Sequence, residues 1–392
     1  MEIRYNKKWK TLSCLKNLEK AQKGLRKVLG KKKVWRKEAG MGERIEKQDI
    51  CCLTMTELSE VLSRLSEPRF RTGQVYHWLH QKLAADFSQM TDLPKELREK
   101  LAASFYVTVM EPLDVLISKL DGTRKYIFRL WDGNIIEAVL MRYHHGNSVC
   151  ISTQAGCRMG CRFCASTLDG CVRNLTAGEM LGEVYAIQRD IGERVSNVVM
   201  MGSGEPLDNY EQSLRFIRML SDENGLDLSQ RSITLSTCGL TPDIRRLSEE
   251  GLSINLALSL HAASQEVRET IMPIAKAYPL REVLSACRYY YEKTGRRLTF
   301  EYAVVKGVND GPCEAEKLAA LLGGMNGLVN LIPVNPIKER EFQSPDRRSV
   351  EHFQHILEKR GIPATIRREM GRDISSACGQ LRRGYLTKAS EA

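Results

Sequence analysis

The 392-residue chain contains no run of about 18 apolar residues, so no membrane-spanning helix is expected. Its lysine-rich beginning lacks the apolar centre of a secretory signal, and a cytoplasmic protein is expected. No repeat of solenoid length recurs, and low-complexity sequence is missing outside that lysine-rich stretch. The protein is therefore read as an ordinary folded chain with no membrane partner.

Hydrophobic residues make up 42% and charged residues 27%, enough for one large core or a core with a small accessory domain. Lys and Arg number 59 against 48 Asp and Glu, a net +11. Residues 1–40 hold 14 of the bases and three acids, so they carry the whole excess and the remainder is neutral. This basic N-terminal extension is read either as an arm that binds RNA phosphates or as a segment without a role. Twelve cysteines in a reducing compartment point to metal binding or reactive thiols rather than permanent disulfides.

Residues 53–105 read as a small helical accessory domain, with Thr54 or Thr56 as N-cap and Leu58, Val61, Leu62 and Leu65 at helical spacing. Pro68 is read as a break, Gln74 to Leu83 as a second helix and Leu93-Pro94 as the start of a third. Tyr76, His77, Trp78 and His80 either stack on RNA bases or form the core of that domain. Residues 106–142 read as a short β annex, in which Trp131-Asp132-Gly133 joins Lys125–Leu130 to Asn134–Met141.

Residues 143–384 form the core domain, where short apolar runs alternate with amphipathic stretches. The runs are Val149–Thr153, Val198–Gly202, Ile233–Ser236, Ile254–Leu260, Leu298–Val304, Val329–Pro333 and Thr365–Arg367. The fold class is α/β, a partial, open βα barrel of the TIM-like kind, with function expected at the C-terminal ends of its strands.

Directly after the first run, Cys157, Cys161 and Cys164 form C-x-x-x-C-x-x-C. A structural zinc site would want a closed fourth ligand, and no further Cys or His follows at finger spacing. Three thiolates on a 4Fe–4S cube leave one iron open to a small molecule. This spacing, with Phe163 before the last cysteine, resembles the radical S-adenosylmethionine (SAM) superfamily.

Further motifs resemble the RlmN-type family within it. They are Gly204-Glu205-Pro206-Leu207, Leu235-Ser236-Thr237, Leu258-Ser259-Leu260-His261, Val304 to Asp310, Asn335-Pro336 and Ala377-Cys378-Gly379-Gln380-Leu381, in the family's order. The resemblance covers roughly residues 54–384. Ser203 departs from it, standing where many relatives are expected to carry methionine, and residues 1–40 have no counterpart.

The resemblance implies methylation of carbon 2 of an adenine in 23S rRNA and in tRNA, next to the anticodon, with two SAM used per turnover. Cys157, Cys161 and Cys164 would hold one 4Fe–4S cluster. Cys378 would carry the methyl group and become joined to RNA, and Cys150 would release it through a transient disulfide. Glu137 would accept the ring proton; its apolar strand suits a buried base, although a solvent-facing residue on a two-sided strand also fits the pattern. Gly204, Glu205, Ser236, Ser259, Leu260, His261 and Asn335 would bind SAM. A flavodoxin or ferredoxin is the implied electron donor, and a monomer is expected. Two rivals remain: a carbon 8 adenine methyltransferase of the antibiotic-resistance type, which Pro206 disfavours, and a non-catalytic iron–sulfur RNA-binding protein, which has no need of Cys378, Cys150 and Glu137. Arg367, Arg368 and Arg372 either meet RNA phosphates or form structural ion pairs.

Overall fold

The computed structural model describes residues 47–381, so the basic extension at 1–40, Cys14 and the last residues of the core domain lie outside the described residues. The chain first forms β1 (Gln48–Asp49), then helices α1 (Met55–Arg64), α2 (Phe70–His80) and α3 (Lys95–Ser104), and β2 (Phe105–Tyr106) returns to pair with β1. Helix α1 starts where it does because Thr54 and Glu57 satisfy each other's backbone N–H groups, at 3.3 and 2.8 Å. Pro68 breaks the chain between α1 and α2, as read, and also leads into α2, because its carbonyl accepts from Arg71 N at 2.9 Å. A proline ahead of the first turn lacks only a donor that the helix does not use there, so α2 begins at Phe70, ahead of Gln74.

The three helices bury Leu58, Leu62, Val75, Tyr76, Leu79 and Leu97 in a core of their own. Tyr76 and His80 are buried within it, while Trp78 lies at its edge with the Lys82 ammonium 3.8 Å above the ring.

Strands β3 (Pro112–Ile117), β4 (Arg124–Arg129), β5 (Ile135–Tyr143) and β6 (Gly146–Cys150) follow as an antiparallel meander. A short antiparallel pair, β7 (Gln154–Gly156) and β8 (Cys171–Asn174), comes next. The remaining strands are β9 (Val195–Met200), β10 (Ile233–Thr237), β11 (Asn255–Ser259), β12 (Leu298–Val304), β13 (Gly327–Pro333) and β14 (Ala364–Ile366). Helices α4 (Ala177–Ile191), α5 (Tyr210–Leu220), α6 (Thr241–Ser248), α7 (Gln265–Ile271), α8 (Leu280–Thr294), α9 (Pro312–Leu322) and α10 (Arg347–Lys359) connect them.

One ten-stranded sheet results, in the order β14-β13-β12-β11-β10-β9-β6-β5-β4-β3. From β6 through β14 the pairing is parallel, each crossover carrying helix, and the linear order leaves the barrel open. The meander continues the same sheet, because Val139 of β5 pairs with Cys150 of β6. β3 is an edge strand that the hydrophobic pattern did not announce, with Leu113 and Ile117 left exposed. Among the described residues no helix is long and apolar enough to cross a membrane.

Candidate active site

The β7–β8 pair forms the neck of the loop that bears the three cysteines, and Gly156 lies opposite Cys171 at its mouth. Cys157, Cys161 and Cys164 line one cavity of about 140 Å³ at the C-terminal ends of the parallel strands. Burial is the leading reason that each thiol holds its proton more tightly than a free cysteine. Cys161 is pushed up to about 12, with Cys164 and then Glu205 adding to the effect.

The opposite wall is built from strand ends. Gly204 and Glu205 follow β9, Ser236 ends near the tip of β10, Ser259 ends β11 and Asn335 follows β13. Gly204 has φ +111°, and a Cβ there would lie 2.6 Å from Thr153 Oγ1 and 2.7 Å from Gln154 N, so only glycine lets this turn close on the β6 end. The buried Glu205 carboxylate accepts from Cys238 N at 2.8 Å and Leu207 N at 3.1 Å, while burial raises its pKa. Ser236 and Ser259 place their hydroxyl oxygens 3.4 Å apart.

His261 takes a left-handed backbone, φ 59°, and its Nδ1 accepts from Ala303 N at 2.9 Å. That bond leaves the remaining proton on Nε2, and burial holds the imidazole down to about 3, so the ring is neutral near pH 7. Leu260 differs from its neighbours: its side chain is fully buried in the main core and does not line the cavity.

A second cavity, of about 390 Å³, adjoins the first. Cys150, Val139 and Met141 line it from β6 and β5, and Cys378, Asn335 and Arg367 line both cavities. Cys150 and Cys378 are both free thiols. Burial and then the proximity of Cys378 raise the Cys150 pKa, against the pull of Arg367. Glu137 is buried on β5, and alternation puts it on the same face as Val139 and Met141, though it does not itself line either cavity. Cys378 is held in place by Ala165 N, which donates to Gly379 O at 2.7 Å, and by Ser166 Oγ, which donates to Leu381 O at 2.8 Å.

Arg268 escaped the pattern reading, whereas Arg367 and Arg372 form ion pairs, one of the two roles read for them. Arg268, fully buried, donates to the carbonyls of Leu260 at 3.1 Å, Cys238 at 2.6 Å and Ser259 at 3.3 Å, and so fixes two strand ends around one guanidinium. Arg367 lies 3.7 Å from Glu301, whose other bond comes from Asn330 Nδ2 at 2.9 Å. Arg372 meets Glu369 at 3.9 Å on the surface. Cys238 lines the first cavity, as its place two residues past Ser236 suggests; Cys51 and Cys287 are buried in cores, and Cys313 is exposed.

Residues 151–320 match the radical SAM superfamily, and residues 48–107 match the ribosomal RNA large subunit methyltransferase N-terminal domain. A probable dual-specificity RNA methyltransferase RlmN from Lachnoclostridium phytofermentans is 58% identical over 343 residues, 88% of this chain and 96% of that protein. The chain belongs to the RlmN family of radical SAM enzymes. An RlmN from Lachnospira eligens is 55% identical over 88% of this chain and 98% of its own length. The crystal structure of a radical SAM methyltransferase from Sphaerobacter thermophilus is 45% identical and superposes with a TM-score of 0.83, covering 86% of this chain and all of that one.

Members of the superfamily use SAM with a 4Fe–4S cluster, and this RlmN-family chain is a SAM-dependent radical enzyme. Among the described residues no three His, Cys, Asp or Glu side chains lie close enough to share a single metal ion. Three cysteine thiols from one loop, all lining one cavity, are a donor set that fits the cluster, and binding it would release their protons.

Proposed function

We propose that this chain methylates carbon 2 of adenine in 23S rRNA and in tRNA, through a methyl group carried on Cys378. The observation that carries the reading is that Cys378 lines both cavities, the one walled by three cysteines and strand-end polar groups and the one that holds Cys150. Carbon 2 of adenine has no acidic proton and no nucleophilic character, so transfer of an electrophilic methyl group is unsuitable there.

Cys157, Cys161 and Cys164 would hold the cluster, and Gly204, Glu205, Ser236, Ser259, His261 and Asn335 would hold SAM against it. The cluster and SAM together supply a 5′-deoxyadenosyl radical, and the protein supplies orientation and a dry site. The Cys378 sulfur first takes a methyl group from one SAM; a radical formed on that methyl carbon from a second SAM then bonds to C2. The ring then loses one electron, for which the oxidised cluster would be the acceptor, and Glu137 takes the C2 proton so that aromaticity returns. The Cys150 thiolate then attacks the Cys378 sulfur: a disulfide forms, the S–CH2 bond breaks with its electron pair on carbon, and the carbon takes a proton to become the methyl group.

Residues 53–105 and the basic extension are the proposed RNA contacts, and a flavodoxin or ferredoxin in the cytoplasm is the proposed electron donor to a monomer. Nucleoside mass spectrometry tests the whole reading, on unmodified 23S rRNA incubated anaerobically with reconstituted protein, SAM and a reductant. A 2-methyladenosine peak that vanishes in Cys378→Ala is expected. An 8-methyladenosine peak would replace this reading with the carbon 8 chemistry, and SAM cleavage without either product would sink the proposed substrate.

A further inference from the structure

The face of the sheet that carries Glu137 also carries a buried lysine. Lys125 of β4 lies directly opposite Val139 of β5, which makes Glu137 its diagonal neighbour on that face. The Lys125 ammonium lies 3.5 Å from Glu137 Oε1, and the two side chains are only 9% and 6% exposed. The same ammonium donates to the Ser375 carbonyl at 3.2 Å. Ser375 has a left-handed backbone, φ 49°, and stands three residues before Cys378.

Two features separate this contact from ordinary framework. A buried ion pair gains little over well-packed apolar side chains, so stability alone gives no reason for a lysine between β4 and β5. The loop that leads to Cys378 is moreover fastened independently: Asp373 accepts from Ser118 Oγ at 2.7 Å and Lys119 N at 2.9 Å, and Asp121 accepts from Gly371 N at 2.9 Å. Lys125 touches both the carboxylate and the loop.

We propose that Lys125 is a positioning residue for the methyl transfer, aiming the Glu137 carboxylate and registering it against the Cys378 loop through Ser375. The inference rests on the reading of Glu137 as proton acceptor. The work of Lys125 falls after Cys378 has joined the adenine, when C2 must stand within reach of the carboxylate.

The test is the partition of the reconstituted enzyme between covalent protein–RNA adduct and released 2-methyladenosine, with Cys378 methylation read by peptide mass spectrometry. Lys125→Met is expected to keep Cys378 methylation and to accumulate adduct, with product down about tenfold or more, a part of the roughly 10²–10⁴-fold that a positioned base contributes. Lys125→Arg is expected to restore most of the product. Should Lys125→Met fail to fold, Lys125→Gln serves, since its amide retains a donor for Ser375 without the charge. Product within about twofold of wild type, in a variant that has lost the charge, overturns the proposal. So does an unmethylated Cys378 with no adduct, which would make Lys125 only a fastening for the loop. Glu137→Gln is run alongside: normal product there defeats the base assignment itself, whereas blocked Glu137→Gln beside normal Lys125→Met defeats only the role of Lys125.

Discussion

Asn335 donates its side-chain amide to the main-chain carbonyl of Cys378 at 3.1 Å, tying the segment after β13 to the residue that lines both cavities. The bond is neutral and partly shielded from water, so it is worth about 1 kcal/mol. Asn335→Ala is expected to lower the rate of 2-methyladenosine formation roughly fivefold, the factor that 1 kcal/mol sets. Amide hydrogen exchange should quicken at residues 377–380 in the same variant; unchanged exchange there would show that Ala165 and Ser166 hold the segment without it.

Cys150→Ala removes the thiol that shares the larger cavity with Cys378. The expected product is an RNA-linked protein band on a denaturing gel, with released 2-methyladenosine lost. Normal turnover by Cys150→Ala would leave the release step without its proposed nucleophile.

Gly204→Ala would set a Cβ 2.7 Å from the backbone nitrogen of Gln154, which cannot swing aside as a flexible side chain can. Left-handed strain adds about 1–3 kcal/mol. A lower melting temperature and loss of SAM binding in calorimetry are expected, and a variant that binds SAM with wild-type affinity would show that the turn after β9 tolerates the shift.

His80 gives the fold an acid-sensitive component. Its Nδ1 is 2.8 Å from Tyr185 Oη, and burial lowers its pKa from 6.5 to about 3. The folded pKa lies below the unfolded one, so the contribution is full above pH 6.5 and is lost as pH falls toward 3, because only the unfolded chain takes up the proton. The expected slope is about 1.4 kcal/mol per pH unit across that window. His80→Phe, which keeps the ring packed on Tyr76, should flatten this component in urea unfolding measured from pH 7 to about 5; an unchanged slope would assign the acid sensitivity elsewhere.

Much of the barrel was legible because its strands are short apolar runs bounded by breakers, a local property of the chain. Leu298–Val304 coincides with β12, and the other six core runs overlap their strands to within a few residues. β3 was not legible: an edge strand with Pro112 and Asp114 need not alternate cleanly, since only one side of it pairs. Pro68 is a break between α1 and α2, as read, but it also marks the approach to a helix start, so α2 begins at Phe70 rather than Gln74.

The sequence by itself determined that three cysteines share one loop, that polar groups follow the parallel strands in order, and that Cys378 stands near the end of the described chain. Those are properties of spacing and order, and spacing survives folding. Only the tertiary structure decided that Lys125 meets Glu137, that Arg268 grips two strand ends, and that Arg367 lies beside Glu301. Each of those contacts depends on which elements the fold brings together, and for Lys125 and Glu137 a one-residue slip between β4 and β5 would turn the side chain to the opposite face of the sheet.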